Sequence, residues 1–231
     1  MAAKIRLSPR LLSDVFWDAV LAADEERGVE KSRLIARLNG LEALRAQAEY
    51  DTGSTALPAA WCLYSLARHF QPRRVVEVGT FIGKSAVAMA SGLDDQDAPG
   101  EVFTCDASNA MPIPWDGRTQ LRQFPKTTST DMLKSMEGAC DFVFLDGRLQ
   151  PDDLALLDGL VTPETIFALD DFEGFEKGVA NLAALSRLQK LQSHFLIYPP
   201  SKAWLAARGF TSYSLIAVLL PVSTFEFHRQ G

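Results

Sequence analysis

From Arg73 onward, short apolar runs rich in β-branched residues alternate with helical stretches, and this alternation constrains the fold more than any other feature of the chain. The runs cover 74–78, 101–105, 119–124, 141–145, 165–169, 194–198 and 213–220, with helical patterns at 83–91, 129–137, 151–160, 174–192 and 202–207 between most of them. Strands separated by helices are joined by crossovers, so their neighbours lie parallel and both faces of the sheet are covered. The spacing predicts an α/β fold with a seven-stranded, mostly parallel sheet and helices on both faces. The linker into the last strand is short, so that strand is expected to run antiparallel.

The first ~50 residues read instead as helices, giving a helical N-terminal extension over 1–52 ahead of an α/β core over 53–231 in a single domain. Ser8-Pro9 is a start signal, with Ser as cap and Pro at the first helical position. Leu11, Leu12, Val15, Phe16 and Ala19 follow at helical spacing. A second helix is expected over 30–49 with Leu34, Ile35, Leu38, Leu41 and Leu44 on one side, weakened at Gly40, and a third after Pro58 that stops before Pro72. Residues 51–54 read as a loop between them. No run reaches the roughly 20 apolar residues of a membrane span, so the reading is a cytoplasmic chain without a membrane partner. The formal net charge of −6, from 29 acids against 23 Lys plus Arg, argues against a nucleic-acid partner. Cys62, Cys105 and Cys140 are odd in number and unpaired in spacing, which speaks against a disulfide framework or a zinc site. Cys105 and Cys140 fall in apolar strand-like runs and read as small buried hydrophobes.

In an open α/β sheet, ligands bind beyond the carboxyl ends of the strands, so the residues just after each strand carry the functional information. The first corner is EVGTFIGKS: Gly79 turns the chain, and Gly83 opens a helix whose free N–H groups can meet an anion. Asp106 follows the second strand, 27 residues beyond Gly79, where a carboxylate can accept both hydroxyls of a ribose. Asp146-Gly147-Arg148 follows the fourth strand and Asp170-Asp171 the fifth. A glycine turn with an acid at the next strand end is common to nucleotide-binding domains. The Gly-x-x-x-Gly spacing is not the GxGxxG of a dehydrogenase, which leaves a nicotinamide oxidoreductase as a rival.

Four segments in order, VVEVGTFIGKSAVAMA, VFTCDAS, CDFVFLDG and IFALDDF, resemble the class I methyltransferases, in particular the small-molecule O-methyltransferases of the catechol and caffeoyl-CoA type and their bacterial relatives, over about residues 50–190. The resemblance implies a Rossmann-like methyltransferase fold, S-adenosylmethionine as cofactor and a small-molecule hydroxyl as acceptor, in a homodimer. It implies cofactor contacts from Glu77, Gly79, Thr80, Phe81, Gly83 and Ser85 of the first corner, from Asp106 on the ribose, from Ser129 and Thr130 beside the adenine, and from Asp146. It further implies a site for Mg²⁺ or another divalent cation at Asp146, Asp170 and Asp171, with Asp146 in the catalytic role. Strands four and five are expected neighbours about 5 Å apart, and three carboxylates at their ends would repel one another without a cation between them.

Two departures stand out. The family's Asp-Asn pair is Asp170-Asp171 here, and Leu149 stands where the family carries a catalytic lysine. Arg148 beside it is a poor base, because a guanidinium stays protonated. The loss of the lysine leaves an N-directed or metal-independent enzyme, or a silent cofactor-binding domain, as alternatives. Lys84 and Lys177 read as solvated helix residues, and His69, His194 and His228 are isolated, with His194 read as structural. The loop around Trp115 is either a substrate wall or packing. The N-terminal helices either cover the site or form a dimer contact.

Overall fold

A computed structural model describes residues 9–26, 31–50, 53–95, 99–174 and 176–225. The Ser8 cap, residues 51–52 of the loop and His228 lie outside the described residues. The strands are β1 (Arg74–Val78), β2 (Glu101–Asp106), β3 (Gln120–Pro125), β4 (Phe142–Leu145), β5 (Ile166–Leu169), β6 (His194–Ile197) and β7 (Ala217–Pro221). They form one sheet in the order β3-β2-β1-β4-β5-β7-β6. β7 pairs antiparallel with both β5 and β6, and the other pairings are parallel, as the spacing predicts.

The helices are α1 (Pro9–Glu26), α2 (Lys31–Glu42), α3 (Leu57–Phe70), α4 (Lys84–Asp94), α5 (Ser129–Lys134), α6 (Asp153–Leu160), α7 (Lys177–Leu185) and α8 (Lys202–Ala207). Two large hydrophobic clusters flank the sheet. One joins α1, α2, α3 and α4 to inward residues such as Val75, Val102, Phe142 and Ala168. The other joins α5, α6 and α7 to the alternate set, Val76, Phe103, Val143 and Phe167. Consecutive strand residues thus feed opposite layers, the period-two consequence of the pleat. All three cysteines are buried free thiols. No helix among the described residues is long and apolar enough to cross a membrane.

Several expectations shift. The buried face of α1 is Ser13, Phe16, Trp17, Val20 and Leu21, while Leu12 and Val15 are exposed. A face centred on Trp17 buries more apolar area, and it draws Ser13 inward with a partner. The Trp17 indole N–H donates to the Tyr198 carbonyl at 2.9 Å, and the Tyr198 N–H donates to Ser13 Oγ at 2.9 Å. Helix α2 tightens into a 3-10 turn over Ala43–Gln47 rather than running on as α-helix. Residues 213–216 are not strand, because this stretch leaves the sheet to cover the corner after β5, where the Phe172 N–H donates to the Leu215 carbonyl at 3.1 Å. The long helix expected over 174–192 is α7 followed by a turn and a short 3-10 segment, Gln189–Leu191.

Candidate active site at the carboxyl rim of the sheet

The register brings the corners together. Val78 pairs with Cys105 on one side and Leu145 on the other, and Leu145 pairs with Leu169. The residues that follow these strand ends, Gly79, Asp106, Asp146 and Asp170, therefore stand in a row along one rim. The chain leaves β1 for β2 on one side and returns to β4 on the other, so the row spans the switch point in strand order. Backbone bonds continue the ladder past the strands: the Gly79 N–H donates to Cys105 O at 3.0 Å, Asp146 N–H to Val78 O at 2.9 Å and Asp170 N–H to Leu145 O at 3.1 Å.

Two cavities open at this rim. One, of about 740 Å³, is lined by Gly79, Phe81, Asp106, Ser129, Thr130 and Asp146 among others, with Tyr50 and Lys177 at its edges. The second, of about 430 Å³, is lined by Ser54, Thr55, Asp170, Asp171, Ser212 and Tyr213 among others. They meet at Gly53, Asp146 and Lys177, which line both.

Gly79 is needed for the wall of the larger cavity. Its φ is +102°, and a Cβ there would come within 2.9 Å of the Gly147 backbone nitrogen. Asp106 is 6% exposed and accepts four hydrogen bonds. The N–H groups of Ser108 and Asn109 donate to Oδ1 at 2.8 and 2.9 Å, and the Phe81 N–H and the Tyr50 hydroxyl donate to Oδ2 at 2.8 and 2.7 Å. The Tyr50 ring also packs on Phe81, with centroids 5.2 Å apart. Tyr50, just beyond the 3-10 turn that follows α2, belongs to the site, and no pattern in the sequence around it pointed there.

Glu77, Thr80 and Ser85 lie behind the cavity wall rather than on it. Thr104 donates to Glu77 and shares a hydrogen bond with Thr80, a buried polar stack beneath the first corner. Burial pushes the Glu77 carboxyl up to about 7, against the opposing hydroxyls of Ser85 and Thr104 and with the help of the Asp106 charge. Gly83 caps α4 behind the same corner, facing Ile113. Ser129 and Thr130 do line the cavity, but their hydroxyls both donate to the fully buried Asp153, at 2.6 Å each. The Gln150 N–H donates to the same carboxylate at 2.7 Å, so Asp153 ties the start of α5 to the start of α6.

The aspartates of the fourth and fifth corners converge, but the cation among them is a lysine. The Lys177 ammonium donates to Asp146 Oδ1 at 2.5 Å and lies 3.0 Å from Asp171 Oδ2. Lys177 is therefore not the solvated helix residue its sequence position suggests. It reaches the rim because α7 begins against the corner that carries Asp170 and Asp171. A Cβ on Gly178 would lie 2.2 Å from the Asp170 carbonyl oxygen, so only glycine permits that approach. Burial raises the Asp146 pKa well above the usual carboxylate range, reinforced by the Asp170 charge and opposed by Lys177. Asp170 is raised as well, chiefly by burial. Burial opposes the charge on Lys177, but Asp146 and Asp171 outweigh it and hold the lysine at about 12, a fixed cation at neutral pH.

This donor set does not suit Mg²⁺. An ammonium already sits between two of the three expected ligands, and among the described residues no three His, Cys, Asp or Glu side chains group as metal ligands. Leu149, at the family's lysine position, packs into the core beside α6 and α7. Its N–H donates to the Asn181 side chain at 3.1 Å, and Asn181 donates in turn to the Gly147 carbonyl at 2.9 Å.

The other sequence candidates are structural. Lys84 is ion-paired with Glu42 of α2 rather than solvated. Trp115 packs against Arg37 and donates its indole N–H to Thr119 O at 2.7 Å, away from both cavities, so its loop is packing rather than substrate wall. His194 bonds the Thr165 carbonyl at 2.9 Å. Helices α1 and α2 join the core, and among the described residues of the N-terminal region Tyr50 and Gly53, after α2, line the larger cavity.

Residues 76–172 match the profile of a methyltransferase-domain family. No curated protein sequence matches the chain. Among solved structures, an O-methyltransferase from Bacillus cereus in complex with S-adenosylhomocysteine superposes with a TM-score of 0.55 at 16% identity, covering 80% of this chain and 90% of that one. The O-methyltransferase TomG from Streptomyces achromogenes, involved in tomaymycin synthesis and solved with S-adenosylmethionine, superposes with a TM-score of 0.54 at 19% identity, covering 80% and 89%. The chain shares the fold of these methyltransferases, and its match to the methyltransferase-domain profile spans the corner motifs after β1, β2, β4 and β5.

Proposed function

We propose that this chain is a class I methyltransferase, with residues 1–52 as a helical addition to a cofactor-binding core, and that it transfers the methyl group of S-adenosylmethionine to a hydroxyl of a small molecule. The observation that carries the reading is the row of Gly79, Asp106 and Asp146 along one wall of the larger cavity, with a second cavity meeting it at Asp146 and Lys177. Two proteins of this fold solved with the cofactor or its product, those from Bacillus cereus and Streptomyces achromogenes, are O-methyltransferases.

The residues fit the cofactor. The open wall at Gly79 admits a ligand close to the backbone, and Asp106 and residues 127–130 line the same cavity, where this reading assigns them to the ribose and the adenine. When bound, S-adenosylmethionine supplies an electrophilic methyl carbon on a positively charged sulfur. The chain's own task is alignment and proton removal. The acceptor lies in the second cavity, its oxygen beside Asp146 and Lys177. That oxygen forms the new bond to the methyl carbon while the carbon–sulfur electron pair returns to sulfur, leaving S-adenosylhomocysteine. The hydroxyl proton passes to the Asp146–Asp170 carboxyl pair, whose raised pKa values suit a proton acceptor. No step is routed through a metal ion, because the donor set does not suit one.

The test is incubation with methyl-labelled S-adenosylmethionine and a panel of small hydroxyl-bearing acceptors. The reading requires S-adenosylhomocysteine formation coupled to label in an acceptor. Cofactor binding with no turnover on any acceptor would leave a silent binding domain instead.

A further inference from the structure

We propose that Lys177 is the resident cation of the acceptor site, standing in place of a divalent metal ion, and that its remaining N–H holds the acceptor oxygen as methyl transfer proceeds. The inference rests on the reading of the two cavities as cofactor and acceptor sites. Lys177 lines both cavities and stands at their junction, where the acceptor must meet the methyl group. Two of its three N–H donors engage Asp146 and Asp171, which fixes the ammonium in direction as well as position. The third is left for a ligand.

Three further features hold this arrangement. Gly178 lets α7 start in contact with the Asp170 carbonyl, so Lys177 is presented by a helix rather than a loop. Asn181, one turn further along α7, bonds both Gly147 O and Leu149 N–H and so locks the helix to the corner that carries Asp146. Leu149 is half-buried and packs against the core, which leaves Lys177 the lysine that reaches the rim among the described residues. The charges are also consistent. An ammonium among three carboxylates relieves their repulsion, and a second, divalent cation placed there would be pushed away by it.

The second cavity is lined by Ser54, Thr55, Ser212 and Tyr213 together with the apolar Ala56, Ala59 and Leu215, a mixed wall with places for hydroxyl groups and for carbon.

Manganese(II) serves as the probe, titrated at neutral pH and followed by electron paramagnetic resonance. The wild-type protein is expected to leave Mn²⁺ free into the millimolar range. Lys177→Met keeps the side chain's length without its charge and is expected to gain Mn²⁺ affinity by about tenfold or more, since the attraction of the carboxylates is no longer opposed. Adding Asp170→Asn to Lys177→Met is expected to remove that gain. Micromolar Mn²⁺ binding by the wild type that Asp170→Asn abolishes would overturn the proposal. So would a folded Lys177→Met protein that gains nothing. The wild-type titration decides even if the variant does not fold. Binding of S-adenosylhomocysteine, measured by calorimetry on the same samples, reports on the functional reading independently of Mn²⁺.

Discussion

The carbonyl oxygen of Asp170 lies where a side chain on residue 178 would have to go, 2.2 Å from the Cβ that Gly178 lacks. The contact lets α7 begin directly on the fifth corner and delivers the preceding residue, Lys177, to the junction of the two cavities. Gly178→Ala must push the helix start away from the rim. The expected outcome is a fold that persists with stability reduced by about 1–3 kcal/mol, as for overpacked sites, and a larger loss in methyl transfer than in cofactor affinity. Unfolding curves and calorimetry on the same variant separate these effects. Unaltered turnover in Gly178→Ala would mean that the position of Lys177 is immaterial.

Glu77 gives a pH signature. Its carboxyl stands at about 7 in the folded chain against an ordinary value of 4.5, mainly through burial. The folded state therefore holds this proton more tightly than the unfolded state. Between pH 4.5 and 7 the unfolded chain ionises Glu77 while the folded chain does not, so stability falls as pH rises through this window. Above it the whole cost, on the order of 3 kcal/mol, persists. Glu77→Gln keeps an acceptor for Thr104 and carries no charge. Urea unfolding at a series of pH values is expected to show the wild type losing stability relative to Glu77→Gln across the window. Parallel profiles would refute the assignment.

Asp153 holds two helix starts together through Ser129, Thr130 and the Gln150 N–H. Asp153→Ala strands buried donors and is expected to cost about 3 kcal/mol or more of stability. The border of the larger cavity at 127–130 should loosen with it, so hydrogen exchange of the amides there should rise. A variant as stable and as protected as the wild type would show that the clamp is not needed.

The strand ends were legible because apolar, β-branched runs stop where the sheet stops. Each corner acid therefore fell within a residue of its observed place, and the parallel register then aligned the four corners. Less could be read of what reaches the rim from elsewhere. Tyr50 follows an irregular turn, and its bond to Asp106 spans 56 positions, a separation no periodicity encodes. Lys177 looked like any charged residue at a helix start. The signal beside it was Gly178, a glycine one residue into a helix, where a close backbone contact is one of the few physical reasons to keep it. The three aspartates read in the sequence as a metal site, and their sequence positions do not distinguish a metal ion from an ammonium supplied by the next helix. In α1 the face was misphased because Ser13 counts as polar until its partner, the Tyr198 N–H, is known.

Titration calorimetry with S-adenosylmethionine on the wild type and Asp106→Ala asks whether the rim between β1, β2 and β4 holds an adenosyl sulfonium. The expected result is saturable one-site binding to the wild type, weakened in Asp106→Ala by about 1–3 kcal/mol, the scale of a hydrogen bond to a charged group. No binding heat, equal affinity in the two proteins, or NAD binding as tightly as S-adenosylmethionine would contradict it.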